Sequence, residues 1–256
     1  MKPRLLVKLI LLGVLLSGCE DLERSNPLDP KNPHSRRPRT VLVEAFVNEG
    51  TGQPYCGYSR EALEQVATEF GSTQLVIVEQ HLRVESWTDS YGLEDSNQRY
   101  DQYVQQNRGV THVFIDGTSV AVQGASSAAS VKPLYAAAIN VEMTEASLFA
   151  MECRKSQVEN HLDVEVKIAR LGTESESNFS VGVMLFEKAG TSSDRLVIRK
   201  ILPFKAVDSI KPGEQKVLQF SGDLPAAAFG GIVGVLVFIQ EGRAQPGRIL
   251  QAQMVL

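Results

Sequence analysis

Cysteine is scarce in this sequence: there are three in 256 residues, at positions 19, 56 and 153, and no two form a C-x-x-C pair. That scarcity excludes a disulfide-dense scaffold, a four-cysteine zinc site and an intact dithiol redox motif. Four histidines stand apart at 34, 81, 112 and 161, without metal-ligand spacing among themselves or with the cysteines. Basic charge is not in excess. The formal net charge is −4, which leaves no electrostatic footprint for nucleic acid. Phosphate-loop chemistry is also missing, because "AFGGIVG" has neither the spacing nor the lysine. "DSYGLEDSNQRYDQ" carries oxygen ligands without the spacing of a calcium loop. What is present is globular protein, 43% apolar and 22% charged, and long enough for two domains with a core in each.

The first 18 residues form a segment of their own. "MKPRLLVK" is basic, and the apolar run "LILLGVLL" is too short to span a membrane. "LSGC" follows and ends at Cys19. Small residues just before a cysteine resemble the bacterial lipobox, in which the cysteine is acylated after cleavage of a signal peptide (here 1–18). The resemblance implies a lipid anchor on Cys19, and acyl chains at about 0.8 kcal/mol per buried CH₂ hold such a residue in a membrane. Glu20 stands where an aspartate often marks inner-membrane retention, so the expected location is the outer membrane of a bacterial cell envelope. Beyond the segment, 23 basic groups face 30 acidic ones. Residues 19–39, with four prolines and no apolar period, read as an extended tether.

The next hundred residues alternate strand and helix patterns. "TVLVEAFV" and "QLVIVEQ" are apolar on both faces, as buried parallel strands are. Between them Leu63, Val66, Ala67 and Phe70 recur with helical period, and Gly71 ends the helix. A helix near 94–107, a hairpin turning at Asp116–Gly117 and a helix near 127–140 containing Pro133 complete the segment. From about 146 the period becomes two, and seven short strands punctuated by glycine and proline suggest an immunoglobulin-like β-sandwich over 146–256.

The order β-α-β-α-β-β-α over 40–145, with "TVLVEAFV…PYCGYSREALEQVATEF" and "RGVTHVFIDG", resembles the thioredoxin-like family. A sandwich after such a domain, behind a lipobox, resembles a group of bacterial outer-membrane lipoproteins. The resemblance implies an α/β thioredoxin-like domain followed by an all-β sandwich domain, and an envelope protein as partner beside the membrane. It implies no cofactor or metal. Aligned without a gap, Cys56 falls on the family's second, resolving cysteine. Gln53 then occupies the attacking position at the helix cap, and Thr111 occupies that of the cis-proline, where a non-proline residue predicts a trans bond. In a second register Cys56 is the attacker and Ser59 closes a C-x-x-S site. Pro54 favours the first register, since proline suits the first helical position.

Three residues are candidates for thiol chemistry. Cys56 at a helix start is the nucleophile, Glu44 falls on the family's buried proton-transfer acid, and His112 follows the cis-proline position. Each has a plainer reading: a packed remnant thiol, a strand carboxylate with a polar partner, and an ordinary strand histidine. An oxidising envelope permits Cys56 and Cys153 to pair, although they lie in different expected domains. Tyr55, Tyr58, Trp87 and Tyr91 can form an aromatic surface. Subtraction of the missing cap cysteine and proline favours a non-catalytic interaction or structural role, with a one-thiol redox protein as the alternative.

Overall fold

The computed structural model describes residue 32 and residues 35–71, 73–189, 195–224, 233–243 and 245–256. Cys19, the signal segment and most of the tether lie outside the described residues. Among the described residues, eleven strands and three α-helices follow one another. The first half runs β1 (Val41–Val47), α1 (Tyr55–Phe70), β2 (Leu75–His81), α2 (Glu94–Tyr103), β3 (His112–Ile115), β4 (Val120–Gln123) and α3 (Ala128–Met143). The second half runs β5 (Phe149–Val158), β6 (His161–Arg170), β7 (Glu176–Lys188), β8 (Leu196–Ile210), β9 (Gln215–Asp223), β10 (Val233–Glu241) and β11 (Ile249–Val255).

Local signals account for the element ends. Ser127 caps α3 through a reciprocal pair of bonds with Ser130, 3.1 Å each, and Pro133 lies inside that helix. Asp116 and Gly117 take the positive φ values, 47° and 71°, that a tight hairpin connection needs.

The expected fold class is corrected by the sheet topology. Among the described residues, eight strands form one mixed sheet in the order β11-β10-β7-β8-β2-β1-β3-β4, and β5, β6 and β9 form a second sheet. The chain is therefore neither a self-contained thioredoxin-like α/β domain nor a separate immunoglobulin-like domain; the described residues are mostly strand, and β2 joins β8 in parallel at Glu79 and Val197. The physical reason lies in what covers β1 and β2. One face, with Val41, Val43, Ala45 and Val47, packs on α1 and α3. The other face, with Leu42, Val76 and Val78, packs on Met184, Phe186, Leu236 and Phe238 of the second half. A strand buried on both faces needs two covering layers, and here one of them is β-sheet.

Strands β7 and β10 are themselves buried on both faces. Their other side, including Val181, Val183, Val235 and Val237, packs against Leu162, Val164, Val166 and Ile168 of β6. Cross-strand pairing sets Phe186 opposite Gly234 and Phe238 opposite Gly182. A Cβ on Gly234 would lie 2.0 Å from the Phe186 ring, so each phenyl covers the glycine facing it. Gly234, the described end of "AFGGIVG", is thus a packing residue.

Two buried polar networks pin the halves together. Arg39 bridges Asp116 at 2.8 Å and Glu142 at 3.3 Å, and Glu142 also accepts from Arg248. On α2, Arg99 reaches Glu44 of β1 at 3.0 Å and Gln240 of β10 at 2.8 Å.

Candidate functional site

Strand alternation separates the three candidate catalytic residues. Cys56 sits in the first turn of α1, within the cluster formed by Val43, Ala45 and Val47. Glu44, one residue out of phase with those three, points through the opposite face of the sheet. There it accepts hydrogen bonds from Arg99, from Gln80 Nε2 at 3.1 Å and from Tyr103 Oη at 2.6 Å. His112 pairs with Phe46 across β1 and β3, on the Glu44 side. Its Nδ1 lies 3.0 Å from Tyr100 Oη, its ring is 4.4 Å from that of Phe114, and burial pushes its pKa down. The sheet stands between Cys56 and both partners.

The thiol itself is poorly placed for attack. Cys56 is 5% exposed, and burial raises its pKa, outweighing the Asn48 backbone hydrogen bond and the charge of Arg60. A reactive thiol needs the reverse: exposure and a net positive field. The helix begins one residue later than expected. Pro54 is the N-cap, so Gln53 stands outside the helix, exposed, with its N–H bonded to Thr51 Oγ1 at 3.1 Å. Ser59 is fully buried, and its hydroxyl is 2.9 Å from Tyr135 Oη rather than at a thiol site. The Val110–Thr111 bond is cis, not trans as the residue type predicts, and Thr111 O accepts Gly124 N–H at 2.7 Å. Cys153 is a free thiol on β5, raised to about 11 by burial, and belongs to a different cluster from the equally free Cys56.

What the sequence does not single out is an ion network beside the start of α1. His81, at the end of β2, directs Nε2 to Glu79 at 3.0 Å and Nδ1 to Asp89 at 2.8 Å. Arg60 of α1 binds Glu79 at 2.5 Å and Glu49 at 2.9 Å. Arg195, just before β8, reaches the same two carboxylates, Glu79 at 2.8 Å. Burial opposes charge on Glu79, but the hydrogen bonds from His81 and Arg60 prevail and lower it to about 2. Burial likewise opposes a charged His81, yet its two carboxylate partners raise its pKa. His81 and Asp89 are eight residues apart. Glu49, Arg60 and Arg195 come from remote segments.

Glu49, Glu79 and His81 bring ligand atoms within 4.8 Å of one another, close enough to suggest a cation site. The donor set does not fit one. Both arginines already neutralise the two glutamates, and an imidazole hydrogen-bonded to a carboxylate through each nitrogen has no lone pair to offer a metal. Three carboxylates face two guanidiniums and one imidazolium, so the cluster closes as a neutral tie between β2, α1 and β8.

A cleft of about 600 Å³ opens from this network between α1 and the second half. Arg60, Glu79 and Arg195 line its inner end, with Leu63, Ile77 and Met254 among its apolar walls. Of the four aromatic residues singled out, Tyr55 and Trp87 are exposed, whereas Tyr58 packs on the core around Cys56 and Tyr91 lies against His81, Arg195 and Arg199.

No family model and no curated protein matches the sequence. Among solved structures, HBP35 of Porphyromonas gingivalis superposes with a TM-score of 0.61 over 85% of this chain and 75% of its own, at 12% identity. Protein AGR_C_4864 from Agrobacterium tumefaciens gives a TM-score of 0.52 over 84% of this chain and 93% of its own, at 16% identity. At these identities the likeness is one of fold, and it extends across both halves of the chain.

Proposed function

We propose that this chain is a non-catalytic interaction protein of the bacterial cell envelope, held at the outer membrane through lipid on Cys19. The observation that carries the non-catalytic reading is the burial of Cys56 on one side of the sheet with Glu44 and His112 on the other. A thiol with a raised pKa, cut off by the sheet from both candidate partners, is not set up for attack. The anchor rests on "LSGC" and the proline-rich tether behind it.

Alkylation of Cys56 against pH tests the first half, using protein with Cys153→Ser and lacking residues 1–19. Labelling should run about 100-fold slower than in the unfolded chain, as for a group exposed only by local opening. Fast labelling with a midpoint well below the free-cysteine value of about 8.5 would overturn the reading and restore the one-thiol alternative. The anchor is tested by Cys19→Ser, which should move the protein from the membrane pellet to the soluble fraction and abolish incorporation of labelled palmitate. Unchanged fractionation would remove the lipid.

A further inference from the structure

Strand β2 has a half-open edge. Val41 N–H donates to Gln74 O and Leu82 N–H to Val47 O, so in the parallel ladder Val76, Val78 and Gln80 turn their backbone groups toward β1. Those of Leu75, Ile77 and Glu79 point the other way. On that side β8 takes Glu79 through its one pairing, with Val197, and among the described residues no strand pairs with Leu75 or Ile77. The cleft runs along this stretch, with Leu63 and Ala67 of α1 on one wall and Leu196 and Met254 on the other. Leu75 itself is buried, so the edge is recessed; unpaired edges are normally blunted by proline, by charge or by a bulge. The sequence "LVI" at 75–77 has none of these.

Charge marks what would fill the edge. Arg60 and Arg195, at the inner end, are matched by Glu49 and Glu79. The Lys188 ammonium, which also lines the cleft, has no hydrogen-bond or ion-pair partner among the described residues, and the Glu64 side chain on α1, in the same lining, is solvent-exposed. A second copy presenting its own β2 would not reach, because that edge is itself recessed between α1 and the second half.

We infer that the β2 edge binds an extended segment of a partner polypeptide, added as a strand beside Leu75–Ile77, with apolar side chains at alternate positions and an acidic group at Lys188. Backbone hydrogen bonds supply the affinity in this mode, and the alternate side chains supply selectivity. The inference rests on the interaction role proposed above and gives it a site.

Residue-resolved amide exchange on the full chain tests it, with a seven-residue probe that alternates valine and threonine and ends in aspartate. In free protein the Leu75 and Ile77 amides should exchange about 100-fold faster than those of Val76 and Val78, as unpaired groups do beside laddered ones. Saturating probe should slow both, and N-methylating alternate probe amides should weaken binding about 30-fold, for two lost hydrogen bonds near 1 kcal/mol each. Lys188→Glu should weaken it about two- to fivefold, the scale of an exposed charge pair. Ile77→Pro removes the outward N–H together with a side chain packed on the α1-side core, and should abolish binding while Val76 and Val78 stay protected. Leu75 and Ile77 amides already protected in free protein, a probe that leaves them unprotected, or equal binding of the N-methylated probe would overturn the proposal. So would protection that grows with protein concentration alone, which would make the occupant a second copy. None of these readouts touches Cys56 labelling, so a failed edge and a failed non-catalytic reading are told apart.

Discussion

Arg99→Met is expected to cost about 3–5 kcal/mol of unfolding free energy, the loss seen when one partner of a buried ion pair is removed. The Arg99 side chain is 1% exposed and that of Glu44 0%, so neither charge has water to fall back on. Without the guanidinium, Glu44 keeps only the amide of Gln80 and the hydroxyl of Tyr103. Arg99 also stacks 4.4 Å from the Tyr103 ring and 5.2 Å from those of Phe204 and Phe238, and methionine replaces part of that contact. The damage should therefore be mainly electrostatic. Urea unfolding of Arg99→Met, Glu44→Leu and the double variant measures it. The double variant should recover most of the loss, because a buried pair exchanged for apolar side chains is often neutral. A single-variant cost under about 1 kcal/mol would show that the buried Glu44 does not depend on the guanidinium.

Glu79→Gln is the second large effect, and it depends on pH. The carboxyl lies at about 2 in the folded protein against a reference of 4.5. A depressed acid contributes stability that is present above the unfolded pKa and lost as pH falls through the folded one. The contribution of Glu79 should be complete above pH 4.5 and vanish toward pH 2. At 1.36 kcal/mol per unit the contribution is about 3 kcal/mol, and the 8% exposure of the side chain leaves little solvent screening. Guanidinium unfolding at a series of pH values should show Glu79→Gln less stable by about that amount at neutral pH, with a flatter profile between pH 5 and 2. His81 works in the opposite direction. Its raised pKa adds stability that is full below 6.5 and is lost as pH rises through the folded value. Glu79→Gln removes one of the two groups that raise it, so the alkaline limb should flatten too. Acid profiles that coincide for the two proteins would mean that Arg60 and Arg195 hold the network without Glu79.

The apolar patterns were enough to place the seven late strands and the first helix, because burial of a strand face or helix stripe repeats with the local geometry of the chain. The hairpin at Asp116–Gly117 was legible for the same reason, since its chemistry is local. A family resemblance led from that order of elements to two closed domains. The sheet went elsewhere, because Leu42, Val76 and Val78 can be covered by a helix or by a strand with the same side chains, and nothing local in "TVLVEAFV" or "QLVIVEQ" chooses between them.

The candidate site divides along the same line. That Cys56 begins a helix and that Glu44 lies in a strand follow from the sequence alone. That they stand on opposite faces could have been anticipated from the one-residue phase between Glu44 and the α1-facing valines, had the covered face been known. The ion network around Glu79 and the open edge at Leu75–Ile77 were out of reach. Glu79 and Arg195 are 116 residues apart, and charges carry no period that marks their partners. An edge is a property of which strand fails to arrive: β8 meets β2 at Glu79 and, among the described residues, no strand pairs with Leu75 or Ile77, which only the packed tertiary structure decides.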